Sequence, residues 1–243
     1  MKIGIIAAMQ EELQLLLEAL LDRQDHDVLS AAYHTGRLGR HELVLVQSGI
    51  GKVMSAMTVA ILVDHFQVDA IINTGSAGAV TTGLDIGDVV VADRLVYHDV
   101  DVTAFGYEYG QMAAQPLYFD SDPRFIDTFR TVLTQEETTS RVGLIATGDS
   151  FIAGQEKITA ITQAFPDVLA VEMEGAAIAQ AAHAAGKPFV VIRAISDTAA
   201  HDANITFDQF IIQAGKRSAK TLIAFFRGAY LITLTLNNIN CKM

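Results

Sequence analysis

The sequence predicts a single α/β domain in which helices flank a central, mainly parallel β-sheet. Three observations point there. Short apolar runs alternate with stretches of helical period along most of the chain, the pattern of strands joined by crossover helices. No repeat, low-complexity tract or interdomain linker divides the 243 residues, a length that suits one large domain better than two. Hydrophobic residues make up 51% of the chain, enough for a substantial core.

The elements follow in order. Residues 2–8 form the first strand, and 10–20 a helix with Leu13, Leu16, Leu17 and Leu20 on one face. A strand over 43–47 turns through Ser48-Gly49-Ile50-Gly51 into a helix over 53–66. The strand over 68–73 ends in the small-residue turn Thr74-Gly75-Ser76-Ala77-Gly78, and a strand over 88–96 follows the turn-like Ile86-Gly87. Residues 97–122 are rich in Asp, Gly, Tyr and Phe without a period; a loop this long is usually functional or covered by a partner. A helix over 123–133 starts at the N-cap Asp122. A strand over 141–146, a helix over 156–164 that stops before Phe165-Pro166, and a strand over 168–172 come next. The helix over 174–185 ends at Gly186 and Pro188. A strand over 189–195 and a long helix over 207–226, with Thr206 as N-cap, complete a domain assigned to 1–232. The Asn-rich tail 233–243 reads as a surface or frayed end without a functional role.

Charge and composition narrow the function. The formal net charge is −11 and no basic run occurs, so nucleic acid is not an expected partner. A nucleoside, which lacks phosphate, stays open. Charged residues are only 19% of the chain, below the usual ~25%, which fits a surface partly covered by another subunit. The single Cys241 allows neither an intrachain disulfide nor a cysteine zinc cluster and suits a reducing cytoplasm. The apolar run 3–9 leads straight into Glu11-Glu12, a poor signal peptide. Arg227 and Gly228 interrupt the apolar stretch 222–236, which falls short of an unbroken span of about 20 residues. The expectation is a soluble, cytoplasmic protein with no membrane contact.

Several familiar motifs are absent. No Gly-x-Gly-x-x-Gly follows the first strand, Gly51-Lys52 lacks the upstream glycine of a phosphate loop, and His41-Glu42 has no second histidine four positions on. The seven histidines show no ligand spacing. Neither a metal nor a cofactor is expected.

What remains is a set of carboxylates after apolar runs. Val168 to Val171 leads into Glu172-Met173-Glu174, Phe189 to Ile195 into Ser196-Asp197, and the first strand into Glu11-Glu12. In open α/β sheets ligands bind where strands end, and a buried charge needs a partner, a substrate or a solvent path. Each residue alone has a plain structural reading: Glu12 and Glu174 as complements to a helix dipole, Asp197 as a turn cap. Together they suit glycosidic hydrolysis, in which one carboxyl group donates a proton to the leaving group and another activates water. The stretch Thr74 to Gly78 is either a plain tight turn or a place where backbone N–H groups meet a ligand.

At this point the chain resembles the bacterial 5'-methylthioadenosine/S-adenosylhomocysteine nucleosidases, of the nucleoside phosphorylase-like superfamily. The resemblance runs from Met1 to about Arg227 and rests on several motifs in order: 4–12 (GIIAAMQEE), 73–78 (NTGSAG), 101–107 (DVTAFGY), 148–152 (GDSFI), 171–175 (VEMEG) and 193–197 (RAISD). It implies a three-layer fold around a mixed, mainly parallel sheet, release of adenine from methylthioadenosine and S-adenosylhomocysteine (with 5'-deoxyadenosine as a further substrate), and a place in methionine salvage. It implies roles too. Asp197 is the general acid toward adenine N7, with Ser196 holding it. Glu12 is the base, with Ser76 and Arg193 supporting the water. Ala77 and Gly78 line the site. Glu174 and Met173 hold the ribose, with Glu172 in a weaker supporting role. Phe151 stacks on adenine and Ile152 offers backbone hydrogen bonds. Met9, Ile50 and Phe207 line the 5'-alkylthio pocket. Val102, Phe105 and Tyr107 lie in a region, 102–115, that closes the partner's pocket in a homodimer.

Two rivals differ in class. A purine nucleoside phosphorylase would need a phosphate pocket, and Met9-Gln10-Glu11-Glu12 after the first strand repels phosphate, with Arg193 alone a thin anion site. A non-catalytic nucleoside-binding protein would be expected to have lost Glu12 or Asp197, and both are present.

Overall fold

The strand that begins the chain buries both of its faces. Ile3, Ile5 and Ala7 point into one apolar cluster and Ile6 into another, so helices must cover the sheet on both sides. This is a computed structural model; it describes residues 1–198 and 203–228, and of 203–209 the backbone alone. In chain order the elements are β1 (Lys2–Ala7), α1 (Gln10–Ala19), β2 (Leu21–Val28), β3 (Ala31–Leu38), β4 (His41–Gln47), α2 (Lys52–Asp64), β5 (Ala70–Ala79) and β6 (Val89–Tyr97). They continue with β7 (Phe119–Asp120), α3 (Pro123–Gln135), β8 (Ser140–Thr147), α4 (Gln155–Ala164), β9 (Val168–Glu172), α5 (Gly175–Ala184), β10 (Phe189–Asp197) and α6 (Ala203–Arg227).

One mixed sheet joins the strands in the order β10-β6-β8-β9-β5-β1-β4-β3-β2, with β7 on β6 and a further pairing between β10 and β5. That last pairing closes β5, β10, β6, β8 and β9 into a ring. The pairs β1–β4, β1–β5, β5–β10, β6–β8 and β8–β9 are parallel; β2–β3, β3–β4, β5–β9, β6–β7 and β6–β10 are antiparallel. Side chains of α2 and α5 pack on one face with Val44, Val46 and Ile71. Those of α1, α3 and α6 pack on the other with Leu43, Leu45 and Ile72. The result is the helix–sheet–helix sandwich expected for an α/β domain.

The predicted strands and helices are present, with four differences. The hairpin β2–β3 was not predicted: its first strand, LDRQDHDV, is largely exposed and has no apolar alternation to reveal it. The 97–122 stretch contains the short β7 and a 3-10 turn at Thr103–Phe105. The predicted turn at Thr74 to Gly78 is strand, because β5 continues to Ala79 and pairs there with β10 and β9. Finally, α6 starts at Ala203, so Thr206 lies within the helix rather than capping it. The tail 233–243 lies outside the described residues.

Candidate active site

Glu12 sits in the first turn of α1, where backbone N–H groups lack intrahelical acceptors. Its Oε2 accepts from the backbone nitrogens of Ala8 (3.0 Å) and Met9 (3.1 Å). Its Oε1 accepts from the Ser76 nitrogen (3.0 Å) and hydroxyl (3.1 Å). The capping role is therefore real, and it aims the carboxyl group across β1 toward β5. Glu12 is 1% exposed. Burial raises its proton affinity, while Arg193 and the hydrogen bonds from Met9 and Ser76 pull the other way.

The continued strand β5 explains how these groups fit together. Gly75 pairs with Arg193 across β5 and β10. A Cβ on Gly75 would lie 2.9 Å from Glu12 Oε1 and closer still to Arg193 Nη1. The missing side chain thus leaves room for a guanidinium beside a carboxylate. Arg193 is 1% exposed, and its Nη2 donates to Asn73 Oδ1 (2.7 Å), to Glu172 and, at 3.4 Å, to Glu174.

Glu172 and Glu174 differ in what surrounds them. Glu172 accepts from Thr147, from Arg193, and from the backbone nitrogens of Glu174 (3.0 Å) and Gly175 (2.7 Å). It is the acceptor that the start of α5 needs, and protein donors occupy its oxygens. Glu174 accepts from the Gly51 nitrogen (3.0 Å). Burial, and then the neighbouring Glu172, push its carboxyl group up to about 7.

Asp197 ends β10, 2% exposed, with the Ser196 hydroxyl donating to its Oδ1 at 2.8 Å. In register it stands beside Gly78, and Gly78 in turn pairs with Val171 on β9. Gly78 therefore brings the end of β10 to the end of β9, although β9 runs antiparallel to β5 and β10 runs parallel to it.

These residues surround a cavity of about 300 Å³. Glu12, Glu174 and Asp197 line it with Ser76, Ala77, Gly78, Glu172 and Ser196. Ala8, Met9, Ile50, Ser150, Phe151, Ile152, Val171 and Met173 complete a mostly apolar wall. None of these lining residues is Lys, Arg or His. The rim is tied together: the Lys52 nitrogen donates to Asp149 (2.9 Å), and the Lys52 ammonium pairs with Asp99 (2.8 Å), which also accepts from the Asp149 nitrogen (2.8 Å). Three carboxyl groups with divergent surroundings beside an apolar slot can supply one proton donor, one proton acceptor and one grip for hydroxyls. Among the described residues no His/Cys/Asp/Glu group is arranged to hold a metal ion.

Of the residues singled out from sequence, Met9, Glu12, Ile50, Ser76, Ala77, Gly78, Phe151, Ile152, Glu172, Met173, Glu174, Ser196 and Asp197 line this cavity. Arg193 stands behind it. Val102, Phe105 and Tyr107 do not reach it within this chain: Val102 packs against the core, Phe105 is 81% exposed, and the Tyr107 hydroxyl accepts from the Ala114 nitrogen at 3.3 Å. The side chain of Phe207 lies outside the described residues. Sequence reading missed Asn73, Thr147 and Ser150. A signal existed for Asn73, an amide at the end of the otherwise apolar run AIIN.

The chain matches the profile of the phosphorylase superfamily over residues 2–227. A curated relative from Staphylococcus aureus (strain bovine RF122 / ET3-1), 5'-methylthioadenosine/S-adenosylhomocysteine nucleosidase, is 46% identical over 222 residues, 91% of this chain and 97% of the relative. The crystal structure of S-adenosylhomocysteine nucleosidase from Streptococcus pyogenes, in complex with 5-methylthiotubericidin, superposes with a TM-score of 0.93 at 73% identity; the match covers 95% of this chain and 98% of that one. The 5'-methylthioadenosine/S-adenosylhomocysteine nucleosidase structure from S. pneumoniae, with the transition-state inhibitor MT-ImmA, gives 0.91 at 65% identity, covering 93% and 99%.

Proposed function

The chain belongs to the phosphorylase superfamily and, within it, to the 5'-methylthioadenosine/S-adenosylhomocysteine nucleosidases, and on that premise we propose how its cavity works. The enzyme hydrolyses the N-glycosidic bond of methylthioadenosine and S-adenosylhomocysteine, releasing adenine and the 5-thio-substituted ribose. The observation that carries hydrolysis over phosphorolysis is the lining of the cavity: four carboxylic residues, Glu12, Glu172, Glu174 and Asp197, and no cationic side chain among the described ones, to receive the second reactant. Such a lining accepts water and repels phosphate.

In this reading Asp197 gives its proton to adenine N7, so the base leaves neutral as the bond to the ribose carbon breaks. The ribose becomes positive, and the surrounding carboxylates stabilise it. Water adds to that carbon and gives its proton to Glu12. The anchoring of Glu12 by Ala8, Met9 and Ser76 supports its role as a fixed base. Glu174 holds the ribose by its hydroxyls, with Met173 helping to hold it. Glu172 and Arg193 act behind them. Phe151 stacks on the adenine face, and the Ile152 backbone meets its edge. Met9 and Ile50 receive the thioether tail.

The reading includes a nucleosidase domain over 1–232 with 233–243 as an appended tail, a cytoplasmic location that the single Cys241 suits, and a homodimer. Exposed apolar side chains support the dimer: Val53, Met54 and Met57 on α2, with Phe105 and Met112 in the 102–115 region that would reach the partner's pocket. Among the described residues no helix is long and apolar enough to cross a membrane.

The test is an ultraviolet assay of adenine release from methylthioadenosine, S-adenosylhomocysteine and 5'-deoxyadenosine, with and without phosphate. Phosphate-independent release is expected. Strict dependence on phosphate would overturn the hydrolytic reading.

A further inference from the structure

We propose that Asn73 is a positioning residue for this reaction: it holds the Arg193 guanidinium against Glu172 and Glu174 and beside Glu12. The inference rests on the nucleosidase reading of the cavity and adds a residue that touches no substrate.

Asn73 is fully buried on β5, and both ends of its amide are used. Its Nδ2 donates to the Ile6 carbonyl of β1 at 3.0 Å, and its Oδ1 accepts from Arg193 Nη2 at 2.7 Å. The neighbours in register are Ile6 on one side and Val191 on the other. Arg193 lies two residues beyond Val191 on β10, so its guanidinium reaches back over Gly75 to find Asn73. An apolar side chain at 73 would offer that end of the guanidinium no acceptor. Arg193 Nε already has no hydrogen-bond partner, so the Nη2 contacts with Asn73, Glu172 and Glu174 decide where the charge sits.

The position of that charge matters because three buried carboxyl groups face it: Glu12 from α1, Glu172 from β9 and Glu174 ahead of α5. At short range in a dry site a charge displaced by an ångström changes the proton affinity of its neighbours. The same amide, through the Ile6 carbonyl, ties Arg193 to β1, the strand that leads into the Ala8 and Met9 donors to Glu12. Asn73 thus links the placement of the base to the placement of the cation that opposes the effect of burial on its proton affinity.

The experiment compares wild type with Asn73→Leu, which has the same branched outline and no hydrogen bonds, and with Asn73→Ser, small enough to fit without a clash if the leucine variant fails to fold. Thermal unfolding gives stability; kcat, KM and the pH profile of kcat/KM for adenine release give function. A variant that folds should lose about 10–100-fold in kcat/KM, the scale of a small misplacement in a catalytic site. Its acidic limb should move upward by about one pH unit, because a withdrawn cation leaves Glu12 and Glu174 easier to protonate. A purely structural role would lower the unfolding temperature and leave the limb in place. An unmoved limb in whichever variant folds overturns the inference. Failure of the wild type to release adenine would overturn the nucleosidase reading itself, so the two failures are distinguishable.

Discussion

Ser76 donates to one oxygen of Glu12 twice, from its backbone nitrogen at 3.0 Å and from its hydroxyl at 3.1 Å. The other oxygen of Glu12 faces the Ala8 and Met9 nitrogens. One side chain therefore caps the start of a helix, ties the end of β1 to β5 and presents a carboxyl group to the cavity. The structural demand and the proposed catalytic one fall on the same atoms, and substitutions there report on both.

Glu12→Gln should abolish measurable adenine release, because an amide cannot take a proton from water. It should also unfold earlier. One half of the amide is a donor and would face N–H groups, leaving buried donors unmatched at about 1–3 kcal/mol. Adenine absorbance and thermal unfolding read the two effects separately. Retained turnover would remove Glu12 from the role of base.

Asp197→Asn removes the proton donor while keeping the shape. General acid catalysis contributes roughly 10²–10⁴-fold, so kcat should fall by that order. Ser196→Ala, which removes one hydrogen bond to Asp197, should cost far less. Equal losses in the two variants would argue against Asp197 as the acid.

Gly75→Ala places a methyl group 2.9 Å from Glu12 Oε1 and closer to Arg193. Overpacking of this kind costs about 1–3 kcal/mol, and the groups displaced are the proposed base and the cation beside it. Loss of both stability and kcat is expected, measured by urea unfolding and adenine release. A variant with wild-type stability and rate would contradict the packing described for β5.

Glu174 makes stability depend on pH in a direction opposite to that of most carboxylates. Its folded value, about 7, lies above the ordinary 4.5. Between those values the folded state holds a proton that the unfolded state has released, so stability falls as pH rises from about 4.5 to about 7. The largest effect is ~3 kcal/mol at 1.36 kcal/mol per unit. Glu174→Gln should flatten this slope in urea unfolding series. For wild type, KM should also improve as pH rises through about 7, since the ionised group is the better acceptor for ribose hydroxyls; the glutamine variant should lose that trend.

The sequence by itself determined the α/β class and brought out the four carboxylic residues that line the cavity. Strands buried on both faces must be written as continuous apolar runs, and an acidic residue after such a run stands out. It did not reveal the β2–β3 hairpin, because exposed strands carry no obligatory pattern. Nor did it show that Thr74 to Gly78 is strand: small residues signal a turn locally, and here they make room for Arg193 and Glu12. Only the tertiary structure decided how Glu172, Glu174 and Asp197 converge. They do not lie along one edge of an open parallel sheet. They meet because the sheet closes into a ring, with Gly78 paired to Val171 on one side and Asp197 on the other. Likewise Asn73, Thr147 and Arg193 acquire their partners from register between strands far apart in the chain. Local sequence fixes what a residue can donate or accept, while register across the sheet selects the groups it meets.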